Sequence, residues 1–147
     1  MQSDEQLNEL ISEYQFLRSV VESIQQRIGL IDGAITELQI ANSTLEGLSE
    51  EEKKNSMLVP IGGGSYIRAR LDDFEKLIVG IGADVAVEKT FIDARETYRI
   101  RILEFEKVRT SLQQQLEESS SRLSSVQEVL QKFTQQTRGE AENVRGP

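Results

Sequence analysis

The chain has 147 residues, of which 37% are hydrophobic and 5% aromatic, and it carries a formal net charge of −8 with no His, Cys or Trp. At roughly 100–200 residues per domain this is one domain's worth of chain, and it is too poor in aromatic side chains for a thick globular core. The composition therefore favours long solvated helices over a compact enzyme.

The missing residue types exclude several kinds of chemistry. Without His and Cys, the chain has no imidazole general base, no thiol nucleophile, no disulfide and none of the usual nitrogen or sulfur ligands for zinc. We expect no enzyme activity, no metal site and no cofactor. The first residues resemble no signal peptide, and no apolar run approaches the ~18 residues that span a bilayer. We therefore expect a soluble, cytoplasmic protein.

The charge is distributed unevenly along the chain. Residues 1–48 carry a net charge of −6, residues 49–87 carry −2, and residues 88–147 are balanced. No segment has the basic face that would neutralise phosphate groups. Nucleic acid and anionic membranes are therefore poor candidates as partners.

The first segment predicts a coiled-coil helix over residues 4–47, with Gly47 placed to end it. Apolar side chains recur at alternating intervals of three and four residues, which is the heptad pattern of a helix that packs along a partner. We call these positions, which contain one polar residue, the seam of the first helix. They are Leu7, Leu10, Tyr14, Leu17, Val21, Ile24, Ile28, Ile31, Ile35, Leu38, Asn42 and Leu45.

The same spacing returns in the second half of the chain and predicts a coiled-coil helix over residues 88–137. Residues 139–147 have no such period, and we expect them to form a flexible tail. The seam of the second helix contains both apolar and polar residues. Its positions are Phe91, Arg95, Tyr98, Ile102, Phe105, Arg109, Leu112, Leu116, Ser119, Leu123, Val126, Leu130, Phe133 and Thr137.

Between the helices, residues 57–90 predict two β-hairpins that turn at Gly62–Gly64 and at Gly82–Asp84. Gly62–Gly64 runs into a strand and lacks the Gly-Lys-Ser/Thr ending of a phosphate-binding loop, so it is interpreted as a hairpin turn. Four short strands cannot bury both faces of a sheet alone. We therefore expect the hairpins to complete a β-barrel between subunits. The residues assigned to this assembly are Ile67, Leu77, Val79, Ile81, Val85 and Val87.

The predicted fold class is α+β, a long antiparallel two-helix coiled coil joined by two β-hairpins that complete an inter-subunit barrel. Matching the two seams gives a register in which paired residue numbers sum to about 140, and a shift by one heptad is the next choice. In this register Leu10 faces Leu130, and Asn42 faces Tyr98.

The hairpin segment resembles the central region of prefoldin alpha subunits, and the archaeal type is the most similar. The resemblance is carried by residues 58–69 (LVPIGGGSYIRA) and residues 77–90 (LIVGIGADVAVEKT). The flanking helices match the same order of helix, hairpin, hairpin and helix, so the resemblance extends over nearly the whole chain. Two hairpins, where the beta class has one, indicate the alpha class.

The resemblance implies a molecular chaperone in the form of a hexamer, in which two alpha subunits combine with four prefoldin beta subunits. In that family six coiled coils extend from a double β-barrel, and the resemblance implies that their open ends hold non-native client proteins without ATP and deliver them to a group II chaperonin. A purely structural coiled-coil subunit without clients is the alternative function.

Candidate client-binding residues lie near the open end of the coil. At the outer positions of the heptads, apolar side chains either widen the seam or contact clients, whereas Phe16 occupies a position that normally faces water. Seam residues at the end of the coil would become exposed by fraying. The full set is Leu7, Leu10, Ile11, Phe16, Val126, Val129, Leu130 and Phe133.

Overall fold

A computed structural model of the chain describes residues 2–50, 55–72 and 75–144. Two long helices precede and follow, along the chain, two small antiparallel sheets of two strands each. In chain order the elements are α1 (Gln2–Glu50), β1 (Met57–Gly62), β2 (Ser65–Ala69), β3 (Lys76–Gly82), β4 (Val85–Thr90) and α2 (Phe91–Asn143). The predicted fold class and the order of helix, hairpin, hairpin and helix are confirmed. Over its described residues, neither helix has a stretch apolar enough to cross a membrane.

The helix ends differ from the predicted ones. Helix α1 continues through Gly47 to Glu50, and α2 continues through Gly139 to Asn143. A glycine inside a helix costs only about 1 kcal/mol relative to alanine, so it does not force the helix to end. The last residues of the predicted tail, 145–147, lie outside the described part of the chain.

Helix α2 begins directly after strand β4, with no linker between them. The Thr90 hydroxyl accepts a hydrogen bond from the backbone N–H of Asp93 at 3.2 Å. This is the geometry of an N-cap, in which a side-chain oxygen satisfies one of the free N–H groups of the first turn. The cap places the helix start at Phe91, whereas the heptad pattern had predicted a start near residue 88.

The chain divides into two compact units. Unit 1 comprises Met1–Asp32 and Lys107–Pro147, and unit 2 comprises Gly33–Glu106. In unit 1 the first part of α1 packs against the second part of α2, with Ile24, Leu112 and Val126 buried between them.

In unit 2 the hairpin β3–β4 packs on the helices. Val79 of β3 is buried with Leu45 of α1 and Ala94 of α2, and Leu77 and Tyr98 pack against this cluster. Polar contacts tie the hairpin to α2 as well, since Arg101 Nη1 donates to the Gly80 carbonyl oxygen at 3.1 Å and Lys89 Nζ donates to the Thr97 hydroxyl at 3.0 Å. The second hairpin is therefore anchored to the coil by the chain itself.

The two hairpins repeat the same pairing. Val59 lies opposite Ile67 in the first hairpin, and Val79 lies opposite Val87 in the second. Both have an irregularity just before the turn, and both turns have positive φ at their central residues. In the second hairpin these residues are Ala83 and Asp84, with φ of 50° and 58°. Two successive positive φ angles are typical of type I′ hairpin turns, which normally use glycine, asparagine or aspartate.

Candidate functional site

The two predicted seams form the inner faces of the helices. Every seam position of α1 from Leu7 to Leu45 is buried or half-buried, and so is every seam position of α2 from Phe91 to Phe133. Thr137, the last predicted position, is exposed. The heptad pattern therefore predicted correctly which side of each helix is covered.

The polar seam residues of unit 2 pair with each other. Arg95 Nε donates to Asn42 Oδ1 at 3.3 Å, and Arg95 Nη2 lies 3.7 Å from Glu46 Oε1. Tyr98, the expected partner of Asn42, packs instead against the cluster around Val79. The arginine reaches the amide because its long side chain can extend along the seam.

In unit 1, two arginines of α2 form ion pairs with acidic residues of α1. Arg109 Nε lies 2.8 Å from Asp32 Oδ1, and Arg122 Nε donates to Glu13 Oε1 at 2.6 Å. The hydrogen bond and the charge of Glu13 raise the pKa of the Arg122 guanidinium. Arg109 Nε is shielded from solvent and makes no hydrogen bond within the described part of the chain, so its contact with Asp32 is electrostatic. These pairs join low residue numbers to high ones, as an antiparallel arrangement requires.

The predicted client-binding residues of unit 1 fall into three groups by exposure. Phe16 is 67% exposed, and Ile11 and Val129 are also exposed. The four seam residues at the free ends are half-buried, namely Leu7, Leu10, Leu130 and Phe133. Val126 is only 2% exposed. Its assignment as a client contact is therefore corrected, because the paired helices cover it.

A shallow groove of about 350 Å³ runs beside the half-buried seam near the end of unit 1. Tyr14 and Leu130 supply apolar surface, while amide and hydroxyl groups and one guanidinium supply hydrogen-bonding groups. The lining residues are Tyr14, Gln127, Leu130, Gln131, Thr134, Gln135 and Arg138. Sequence analysis did not single out the polar ones. Their spacing could have revealed them. Residues 127, 131 and 135 form one row along α2, residues 130, 134 and 138 form the adjacent row, and both rows line the same side of the helix.

The predicted assembly residues of the hairpins are only partly free. Ile67, Ile81 and Val85 are exposed, and Leu77 and Val87 are half-buried. Val79 is 2% exposed because it lies in the cluster with Leu45 and Ala94. The expectation that Val79 needs another subunit for its burial is therefore corrected.

The structure also exposes large apolar side chains of unit 2 that sequence analysis did not assign to assembly. Ile78 is 74% exposed although its neighbour Val79 is buried. Large exposed apolar side chains are common where a protein contacts a partner. The additional residues are Leu58, Ile61, Tyr66, Ile78 and Ile92.

Comparison with known proteins agrees with this architecture. The family model described as "Prefoldin subunit" matches residues 17–136. Prefoldin subunit alpha of Methanopyrus kandleri is 40% identical over 112 residues, which cover 76% of this chain and 71% of the relative. Prefoldin subunit alpha of Pyrococcus horikoshii is 34% identical over 136 residues, covering 89% and 92% of the two chains.

A solved structure has the same fold. A chain in the cryo-EM structure of filamentous PFD from Methanocaldococcus jannaschii superposes with a TM-score of 0.67 at 22% identity, and the match covers 81% of this chain and 96% of that chain. Fold, family model and relatives lead to one conclusion: the chain belongs to the prefoldin family of chaperone subunits, among its alpha type.

Proposed function

We propose that this chain is the alpha subunit of a holdase, which captures non-native proteins at the free ends of its coiled coil without ATP. One observation carries the proposal. Near the free ends of unit 1, Phe16, Ile11 and Val129 are exposed, although a helix in a lone two-stranded coil normally presents polar residues there. Exposed apolar side chains can contact the apolar segments that an unfolded protein exposes.

Incomplete burial of the seam adds to this apolar surface. Among the described side chains of α1 before Ile24, and of α2 after Val126, none is fully buried. Small separations of the two helices would therefore expose Leu10, Leu130 and Phe133 to a client. The groove beside Tyr14 and Leu130 offers a place for one client side chain, with polar groups at its edge for the client backbone.

Each such contact is weak, so the function needs several chains acting together. A client held by several coil ends at once binds far more tightly than by one, because each further contact forms at a high effective concentration. We propose a hexamer in which two alpha chains of this type combine with four prefoldin beta subunits. The exposed hairpin residues support this assembly, since Leu58, Tyr66 and Ile78 have no cover in the single chain.

We further propose that the complex works in the cytoplasm and passes its clients to a group II chaperonin. Delivery would require release without nucleotide hydrolysis. Individually weak contacts permit such release, because each client segment can dissociate and rebind elsewhere.

The proposal is tested by removing apolar surface from the coil ends while leaving the seam intact. In the triple variant Ile11→Ser, Phe16→Ser, Val129→Ser we expect normal assembly and a several-fold loss of aggregation suppression for a denatured protein. Leu30→Ser is the matched control, since Leu30 is 75% exposed on α1 but lies far along the helix from the free end. This control should suppress aggregation like the parent.

Complex mass is measured in parallel by sedimentation. If the triple variant assembles and suppresses aggregation fully, clients bind elsewhere on the complex. If neither the parent nor the variants suppress aggregation, the chain is a structural coiled-coil subunit without clients.

A further inference from the structure

Three arginines of α2 form ion pairs with acidic residues of α1. In unit 2 Arg95 contacts Glu46, and in unit 1 Arg109 contacts Asp32 and Arg122 contacts Glu13. Arg95 and Arg109 are two heptads apart on α2, and their partners Glu46 and Asp32 are two heptads apart on α1. The same contact is thus repeated once in each unit. The residue numbers of the first two pairs sum to 141, close to the register expected from the seams, whereas those of Arg122 and Glu13 sum to 135.

The apolar seam alone cannot select this register. Apolar side chains, aromatic ones included, occupy eleven of the twelve seam positions of α1 and ten of the fourteen of α2, so a shift by one whole heptad still places mostly apolar residues opposite apolar residues. Side chains of similar size and shape exchange at small energetic cost. Register in coiled coils is accordingly set by polar seam residues and by flanking charges.

A shift by one heptad removes the acidic partner of every one of these arginines. The amino-acid sequence of α1 shows this directly, because the residues of α1 that lie seven positions before or after a partner are all uncharged. With a shift in one direction, Arg95, Arg109 and Arg122 meet Gln39, Gln25 and Gln6. With a shift in the other direction Arg109 and Arg122 meet Gln39 and Val20, and the position that Arg95 would meet lies beyond the end of α1 at Glu50.

We propose that Arg95, Arg109 and Arg122 specify the register of the coiled coil by disfavouring both one-heptad shifts. Arg109 is the central element, because its Nε is shielded from solvent at a seam position and its charge needs Asp32 nearby. A charge that is partly shielded from solvent loses more when its partner is removed than an exposed ion pair contributes, but 43% of the Arg109 side chain is exposed, so the loss is smaller than for a buried pair. The three arginines thus act chiefly by making the shifted registers unfavourable. This role does not depend on whether the coil ends bind clients.

Disulfide trapping tests the proposal, and the chain suits it because no native cysteine competes. The pair Leu17→Cys with Leu123→Cys reports the expected register. Leu17→Cys with Leu116→Cys, and Leu17→Cys with Leu130→Cys, report the two shifted ones. All three pairs replace two seam leucines, so they perturb packing alike. Each pair is made in the full-length parent and in the triple variant Arg95→Gln, Arg109→Gln, Arg122→Gln, and is oxidised under mild conditions.

In the parent we expect a disulfide only from the pair at 17 and 123. In the triple variant we expect the yield of disulfide from the shifted pairs to be about tenfold higher than in the parent, because several partly exposed ion pairs no longer favour the expected register. Arg99→Gln is the matched control, because Arg99 pairs with Glu96 of its own helix, and this variant should form the same disulfides as the parent.

The exchanged variant Asp32→Arg, Arg109→Asp keeps one pair with reversed charges and guards against a folding defect in the triple variant. It should trap in the expected register. Two results would overturn the proposal that the arginines specify the register. The first is a triple variant that forms only the 17–123 disulfide. The second is a triple variant that fails to fold while the exchanged variant forms disulfides in the shifted registers.

Discussion

The neighbouring residues Val79 and Ile78 make it possible to separate the stability of the chain from its assembly. They are adjacent in β3, and their side chains point to opposite faces of the hairpin. Val79 is 2% exposed against Leu45 and Ala94, whereas Ile78 is 74% exposed. Truncation of Val79 to alanine should therefore act on the folding of the chain, and truncation of Ile78 to alanine should act on its assembly with other subunits.

The expected effect of Val79→Ala follows from its burial. The change removes two carbon atoms, which is about 1.6 kcal/mol of transfer free energy at ~0.8 kcal/mol per methylene, and the cavity left in the cluster raises this to about 2–3 kcal/mol. In Ile78→Ala little buried surface is lost within the chain, so its free energy of unfolding should change by at most about 0.5 kcal/mol.

Urea denaturation of the chain alone, followed by circular dichroism, measures the first quantity, and sedimentation after mixing with a prefoldin beta subunit measures assembly. We expect Val79→Ala to lower the denaturation midpoint, and Ile78→Ala to leave the midpoint unchanged while weakening assembly. An equal loss of stability in both variants would show that β3 has no covered face in the single chain. Normal assembly of Ile78→Ala would remove Ile78 from the proposed interface.

Three further predictions concern local features of unit 2. Ala83→Gly should raise the thermal midpoint, because φ of 50° costs a residue with a Cβ about 1 kcal/mol that glycine avoids; an unchanged or lower midpoint would contradict this. Thr90→Ala should destabilise the chain by about 1 kcal/mol in urea by removing the cap on Asp93 N–H, whereas Thr90→Ser should retain most of the stability. The hydrogen bond from Arg99 lowers the pKa of the Glu96 carboxyl, so this pair should stabilise the fold above the ordinary carboxyl pKa and lose its effect as the pH falls through the lowered value. Carboxyl NMR titration should show that pKa rising in Arg99→Gln, and no change would refute the assignment.

Sequence analysis could identify the covered sides of both helices because a heptad repeat has only one apolar side. The positions from Leu7 to Leu45 follow this repeat, and all of them are buried or half-buried. The helix ends were less predictable. Gly47 and Gly139 lie inside helices because one glycine costs a helix little free energy. The start of α2 is set by the Thr90 cap, which the heptad pattern does not reveal.

The candidate surfaces were only partly predictable, for a different reason. Both faces of each hairpin carry apolar side chains, so alternation shows that Val79 and Ile78 point in opposite directions but not which of them the helices cover. Val126 presents the same difficulty, since the heptad pattern does not show how far fraying extends from the open end of the coil. Only the packing of the chain distinguishes these cases.

The direct junction between Thr90 and Phe91 has a consequence for how such chains can vary in length. A helix turns by about 100° for each residue, so one residue inserted at this junction would rotate the whole of α2 about its axis by that angle. The side that carries Ala94 and Leu112 would then no longer face α1. Because β4 is held in place by its pairing with β3, the strand could not rotate to restore the orientation of α2, and a second change in chain length would be needed. Natural variation in length should accordingly avoid this junction and accumulate at the free helix ends, where an added residue extends the coil without changing its rotational phase.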